Sequence, residues 1–220
     1  MAANAEKRAD QSNEIDPAPQ IRRRLKGHER REVIVSAAVE LFARQSFDSV
    51  GMRDVAAACG LTATAIYRQF ENKEALLVAI FDRCSNQILG GIREGSRGKD
   101  AHDRLIRLIR FHISQVIREP AMIPIYQHEQ SALAPDERRR FRVLQRDYIE
   151  TWTEALSELR PELSPEATRT TVVAVIGSLN AMAYYRTKLG NRALERLLQD
   201  IAWRSLGLDR PADDAAQATA

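Results

Sequence analysis

The chain has little cysteine, few aromatic residues and no long hydrophobic run. Two cysteines among 220 residues, Cys59 and Cys84, cannot build a disulfide scaffold. Apolar stretches such as Val172 to Gly177 fall far short of the ~20 residues that cross a bilayer, so no membrane association is expected. Residues 1–20 lack the apolar core of a secretory signal, and the expected compartment is the reducing cytoplasm. There is no GxGxxG and no GxSxG. His128-Glu129 begins like a zinc-protease motif, but position 132 is Ala. Gly91 to Lys99 imitates a phosphate loop with the wrong spacing, and Asp100 stands where a hydroxyl is needed. His28, His102, His112 and His128 show no metal-ligand spacing. These absences argue against an enzyme, a bound metal or a resident cofactor.

What is present is a soluble composition, 44% hydrophobic and 29% charged, with an uneven charge distribution. The net charge is +3, but residues 1–20 carry −2 and residues 21–73 carry +4. A basic segment of that kind suits a polyanion partner or a solvated face. Residues 1–20 are polar, contain Pro17 and Pro19, and read as a disordered arm; residues 211–220 read as a disordered tail.

Between the ends the periodicity is helical, and the expected fold is all-α with about nine helices. Val33, Ile34, Ala37, Ala38, Leu41 and Phe42 predict a helix over 28–45. Met52, Val55, Ala56 and Cys59 predict a short second helix, with Gly60 at its left-handed end. Thr62 caps a third and Asn72 a longer fourth, which Gly90, Gly91, Gly95 and Gly98 loosen toward a linker at 95–100. Further helices are expected at 101–118, 120–133, 136–160, 165–188 and 192–206, separated by Pro120, Pro135, Pro161 with Pro165, and Gly190.

Two short helices meeting at Gly60, with Ala56, Ala57 and Ala58 allowing close approach, meet the requirements of a helix-turn-helix. One helix braces while the next enters a major groove about 12 Å wide. The bare pattern also suits an ordinary helical hairpin. In detail, however, Val55-Ala56, Gly60-Leu61-Thr62, Ile66-Tyr67, Phe70 and Lys73-Glu74-Ala75-Leu76 resemble the DNA-binding signature of the TetR family of bacterial transcription regulators. Ala37-Ala38, Leu41-Phe42-Ala43 and Phe47 match its first helix, so the resemblance covers roughly residues 28–80.

The resemblance implies a helix-turn-helix domain over 21–73 and a ligand-binding and dimerisation domain over 74–210. It implies that Thr62 caps the recognition helix against a phosphate and that Ala63, Thr64 and Arg68 lie where bases are read. It also implies that Tyr67 and Gln69 touch backbone or nearby bases, that Lys73 grips a phosphate and that Arg53 reaches the backbone. Arg22, Arg23, Arg24 and Lys26 precede the domain and suit a minor-groove arm, phosphate tracking or a solubility tail. Two positions depart from the pattern: Ser46 replaces a common glycine, and Gly51 replaces a Thr or Ser cap, losing a hydroxyl contact to phosphate.

For the second half the resemblance implies a homodimer through the last two helices, reading a palindromic double-stranded operator, and a pocket for a small-molecule effector. Phe111, Tyr126, Glu129, Tyr148, Trp152, Asn180, Tyr184, Tyr185 and Arg186 are the pocket candidates, being aromatics with a few polar groups. Ile125-Tyr126-Gln127-His128-Glu129, Tyr148 with Trp152, Asn180 with Tyr184-Tyr185-Arg186, and Gly190 resemble the TetR regulators of fatty-acid and sterol catabolism. Those respond to acyl-CoA thioesters, with Arg138, Arg139, Arg140, Arg142 or Arg146 as candidates for the coenzyme phosphates, or as a solvated helix face. The expected function is a repressor released from its operator by such a molecule. The alternative is a helical carrier or enzyme on the same fold that has lost DNA binding.

Overall fold

The computed structural model describes residues 27–211. The proposed arm at 1–20, the basic residues Arg22 to Lys26, and the tail beyond residue 211 lie outside the described residues. Those residues form nine α-helices and no strand: α1 Gly27–Arg44, α2 Met52–Cys59, α3 Ala63–Tyr67, α4 Lys73–Ser96, α5 Ala101–Arg118, α6 Met122–His128, α7 Pro135–Leu159, α8 Pro165–Asn180 and α9 Asn191–Ser205. Short 3₁₀ turns at Phe47–Ser49, Glu129–Ala132 and Ala181–Tyr184 follow α1, α6 and α8.

The helix starts are chemically explicit. Thr62 Oγ1 accepts from Ala65 N–H at 3.2 Å, Asn72 Oδ1 from Ala75 at 2.7 Å, Asp100 Oδ1 from Asp103 at 2.8 Å and Ser164 Oγ from Ala167 at 3.2 Å. Each satisfies an amide that the first helical turn leaves unpaired. Gly60 sits at φ 62°, ψ 34°, the left-handed geometry that only glycine adopts freely.

Two cores divide the molecule. The first joins α1–α3 and the N-terminal half of α4, through Ile34, Phe42, Val55, Ile66, Leu76 and Leu77, and continues into Met122, Ile125, Leu133 and Phe141. The second lies among α5, α7, α8 and α9, around Leu108, Ile113, Trp152, Val172, Leu198 and Trp203. The helix-turn-helix core therefore extends beyond residue 73: α6 and the start of α7 close it from the other half, with Phe81 and Phe141 edge-to-face at 4.8 Å.

Three local readings need correction. The fourth helix does not loosen at its glycines but runs unbroken to Ser96. A Cβ at Gly91 would lie 2.5 Å from Tyr148 Cε2, and one at Gly90 2.9 Å from Phe111 Cζ. These glycines let α5 and α7 approach α4. The helix expected at 165–188 ends at Asn180, and its continuation tightens into the 3₁₀ turn. Tyr184, Tyr185 and Thr187 are poor helix formers, and the Tyr184 hydroxyl is drawn toward α6, 2.7 Å from Gln127 Oε1 and 3.1 Å from His128 Nε2. The helix expected at 120–133 stops at His128 and passes into the 3₁₀ turn.

Candidate DNA-binding and effector sites

The helix-turn-helix presents a coherent outer face. Ile66 is fully buried and fixes α3 against α1 and α2, so Thr62, Thr64, Tyr67 and Arg68 are left exposed, Tyr67 at 54%. Ala63 and Gln69 are half-buried, and Arg53 is exposed on α2. Gly51 starts α2 without a hydroxyl, and Asp54 Oδ2 accepts the Gly51 N–H at 2.7 Å in compensation. Arg31 Nη1 donates to the Gln69 carbonyl at 3.1 Å while its guanidinium lies 4.2 Å from the Phe70 ring centre, pinning the end of α3 to α1. Lys73 has an internal engagement: Nζ donates to the Phe47 carbonyl at 2.8 Å and sits 4.3 Å from the Phe47 ring centre. It braces the turn before α2.

The second half of the chain carries a partly open cavity of about 320 Å³ among α4, α5, α6, α7 and α8. That size falls within the range of small-molecule pockets. Its wall is apolar, from Ile88, Phe111, Val116, Met122, Ile123 and Ile176, with a polar cluster set into it. His112 Nε2 lies 3.1 Å from Asn180 Oδ1, which can only accept, so Nε2 carries the proton. Nδ1 then accepts from the Tyr148 hydroxyl at 3.2 Å. Burial pushes His112 down to about 4, against a weaker opposing pull from Asn180, so the imidazole is neutral. Burial likewise raises Tyr148 and Tyr126, which stay protonated. Among the described residues Glu119 is the one charged side chain on the cavity wall.

Three polar ties connect this half to the DNA-binding helices. Arg83, on α4, donates to Ser36 Oγ on α1 at 3.0 Å and to Glu119 Oε1 at 2.8 Å, while Gln87 donates to Glu119 Oε2 at 2.9 Å. The Phe47 N–H donates to Glu129 Oε1 at 3.1 Å. Arg140 pairs with Asp82 at 3.0 Å. Cys84 stands among these groups but is buried, and burial with the nearby Glu119 charge pushes its thiol up to about 12, so it is unreactive.

Residues 34–80 match the model of bacterial regulatory proteins of the tetR family, and residues 98–202 match the tetracyclin repressor-like C-terminal domain. The chain belongs to the TetR family. It is a DNA-binding regulator of transcription in that family. It is 24% identical to the HTH-type transcriptional activator FasR of Mycolicibacterium smegmatis, over 93% of this chain and 86% of that one. Among solved structures, a TetR-family regulator from Bordetella parapertussis superposes with a TM-score of 0.72 at 20% identity, covering 82% of this chain and 98% of that one. AibR, solved with isovaleryl coenzyme A and operator DNA, gives 0.63 at 21% identity, covering 78% and 97%. These likenesses are of fold.

Against this TetR fold the nine predicted pocket residues separate. Phe111, Tyr126, Tyr148 and Asn180 come together on the cavity wall. Trp152 is fully buried behind it, in edge contact with Tyr148 and His112. Glu129 turns the other way and caps the Phe47 amide. Tyr184, Tyr185 and Arg186 are exposed beyond the end of α8, off the cavity wall. The arginines Arg138 to Arg146 line neither the cavity nor its neighbouring cleft. Sequence reasoning missed His112, Gln87 and Glu119. His112 carried a signal: it interrupts the apolar stripe Leu105, Leu108, Ile109, Val116 of α5, and a polar side chain at a core position asks for a partner.

Proposed function

We propose that the chain acts as a homodimer that holds a palindromic operator and releases it when a hydrophobic effector enters the cavity, and so represses the genes beside the operator. The observation that carries this reading is the cavity itself: an apolar volume with a neutral hydrogen-bonding cluster, walled partly by α4, the helix that also enters the helix-turn-helix core. Any wedge that tilts α4 acts on both places. The shift in operator affinity cannot exceed the effector's preference for the releasing conformer.

The neutral cluster suits an uncharged carbonyl, and the apolar wall suits an acyl chain, so the effector class is an acyl-CoA thioester. The presence of isovaleryl coenzyme A in the AibR structure supports that class. Exposed apolar side chains on the last two helices, Val173 at 47%, Leu197 at 45% and Ile201 at 38%, support dimerisation through α8 and α9. Thr62, Ala63, Thr64, Tyr67, Arg68 and Gln69 on α3 and its cap, with Arg53 on α2, form the DNA face; Lys73 positions it. The test is capture of sheared genomic DNA by the purified protein, sequencing of the retained fragments, and challenge with a series of acyl-CoAs. An enriched near-palindrome displaced by one of them supports the reading. No enrichment at low salt removes it.

A further inference from the structure

Beside the apolar cavity lies a polar cleft of about 620 Å³ between α1, α4 and α5. The two share Gln87, Phe111, Gln115 and Glu119 in their walls. Their electrostatics differ. The cleft brings together Arg31, Arg83, Arg93 and Arg118 with Glu32, Asp82 and Glu119. Glu119 is paired with Arg83, and Asp82 with Arg140. Arg31, Arg93 and Arg118 have no carboxylate partner among the described residues. Arg118 Nε donates to the Ser114 carbonyl at 3.3 Å, and Arg31 holds the Gln69 carbonyl.

An amphiphile with an anionic head cannot place that head in the cavity. The histidine there is neutral, and the one charged wall side chain among the described residues, Glu119, is already paired with Arg83, so the cavity offers an anion no cation. The head must lie beyond the shared wall, where three arginines stand without a carboxylate partner among the described residues. Guanidinium groups match phosphate oxygens in paired hydrogen bonds, and the cleft is roomier than the cavity.

We propose that this cleft binds the phosphate-bearing head of the effector whose apolar tail fills the cavity, and that Arg31 carries its occupancy to the recognition helix. This rests on the reading that the cavity holds an effector tail. Arg31 is the link because one guanidinium both lines the cleft and donates to the carbonyl of Gln69 at the end of α3. An ionised phosphate is a stronger acceptor than a peptide carbonyl, so an occupied cleft draws Arg31 away and loosens residues 66–70.

Three probes separate the terms: lauroyl-CoA, lauroyl-N-acetylcysteamine (the same thioester without phosphates) and lauroyl lysophosphatidic acid. Calorimetry on the full chain is expected to show lauroyl-CoA binding about tenfold or more tighter than the cysteamine thioester at low salt. The Arg93→Gln/Arg118→Gln variant is expected to remove the difference. Both are surface changes, and a thermal midpoint confirms folding. Amide exchange at Gln69 and Phe70 is expected to quicken with lauroyl-CoA and not with the cysteamine thioester. Equally tight, arginine-dependent binding of lysophosphatidic acid supports the cleft and makes the source a lipid phosphate; a preference for lauroyl-CoA makes it the nucleotide. Equal binding of the two thioesters overturns the cleft proposal while leaving the cavity reading intact. Binding of none of the three overturns both.

Discussion

The two ends of α4 are built by different rules. At its N-terminal end Asn72 caps the helix, Lys73 is tied to the turn before α2, and Leu76, Leu77, Ile80 and Phe81 fill the helix-turn-helix core. At its C-terminal end Gly90, Gly91 and Gly95 present almost no side chain, and Phe111, Tyr148 and Leu108 from α5 and α7 press against its backbone. The first end is held by what it carries, the second by what it omits. A single helix thus has one end fixed in the DNA-binding core and one end fitted closely to the residues that wall the cavity. In the proposed function this helix carries a displacement from one to the other.

Substitutions at the two ends sharpen this contrast. Leu77→Ala removes a fully buried side chain from the first core and is expected to cost about 2–5 kcal/mol in urea unfolding. Acidification probes the cavity end. His112 titrates at about 4 when folded, against an ordinary 6.5, so the unfolded chain takes up the proton first as pH falls. Its stabilising contribution is full above pH 6.5 and lost as the pH drops through 4, a change on the order of 3 kcal/mol. His112→Gln is expected to reduce the difference between urea midpoints measured near neutral pH and near pH 4. Gly91→Ala drives a methyl into Tyr148 and Phe111, with an expected cost of about 1–3 kcal/mol. It should weaken acyl-CoA binding, read by calorimetry, more than it weakens DNA binding.

Two smaller effects concern the DNA-binding end. Asn72→Ala removes the cap of α4 and is expected to cost about 1 kcal/mol, read as a lowered urea midpoint. Tyr67→Ala is expected to change stability by about 0.5 kcal/mol or less, since the ring is exposed, and yet to lose binding to captured genomic fragments.

The same contrast governs what could be read in the sequence. The helix-turn-helix is specified largely by near neighbours: the left-handed Gly60 and the caps Thr62 and Asn72 act within a few residues of their partners, and the buried Val55 and Ile66 fall on the helical period. Each could be placed from spacing. The cavity is specified by encounters between distant segments. His112 meets Asn180 across 68 residues, and Glu129 meets the Phe47 amide across 82. Glu129 and Asn180 both looked like polar groups beside aromatics, and only the packing of α6 against α1 and of α8 against α5 sends one to a cap and the other to a pocket. The glycines of α4 misled for the same reason: glycine reads locally as a break, and its use here as a close approach depends on Tyr148, 57 positions away from Gly91.

The coupling of the cavity to the DNA face is tested most directly by measuring the affinity of the protein for a captured operator fragment at fixed salt, with and without saturating lauroyl-CoA, alongside direct measurement of lauroyl-CoA binding. The account predicts that lauroyl-CoA binds and weakens operator binding by tenfold or more, an allosteric coupling of about 1.4 kcal/mol. Tight binding of lauroyl-CoA in the cavity with operator affinity unchanged would contradict it.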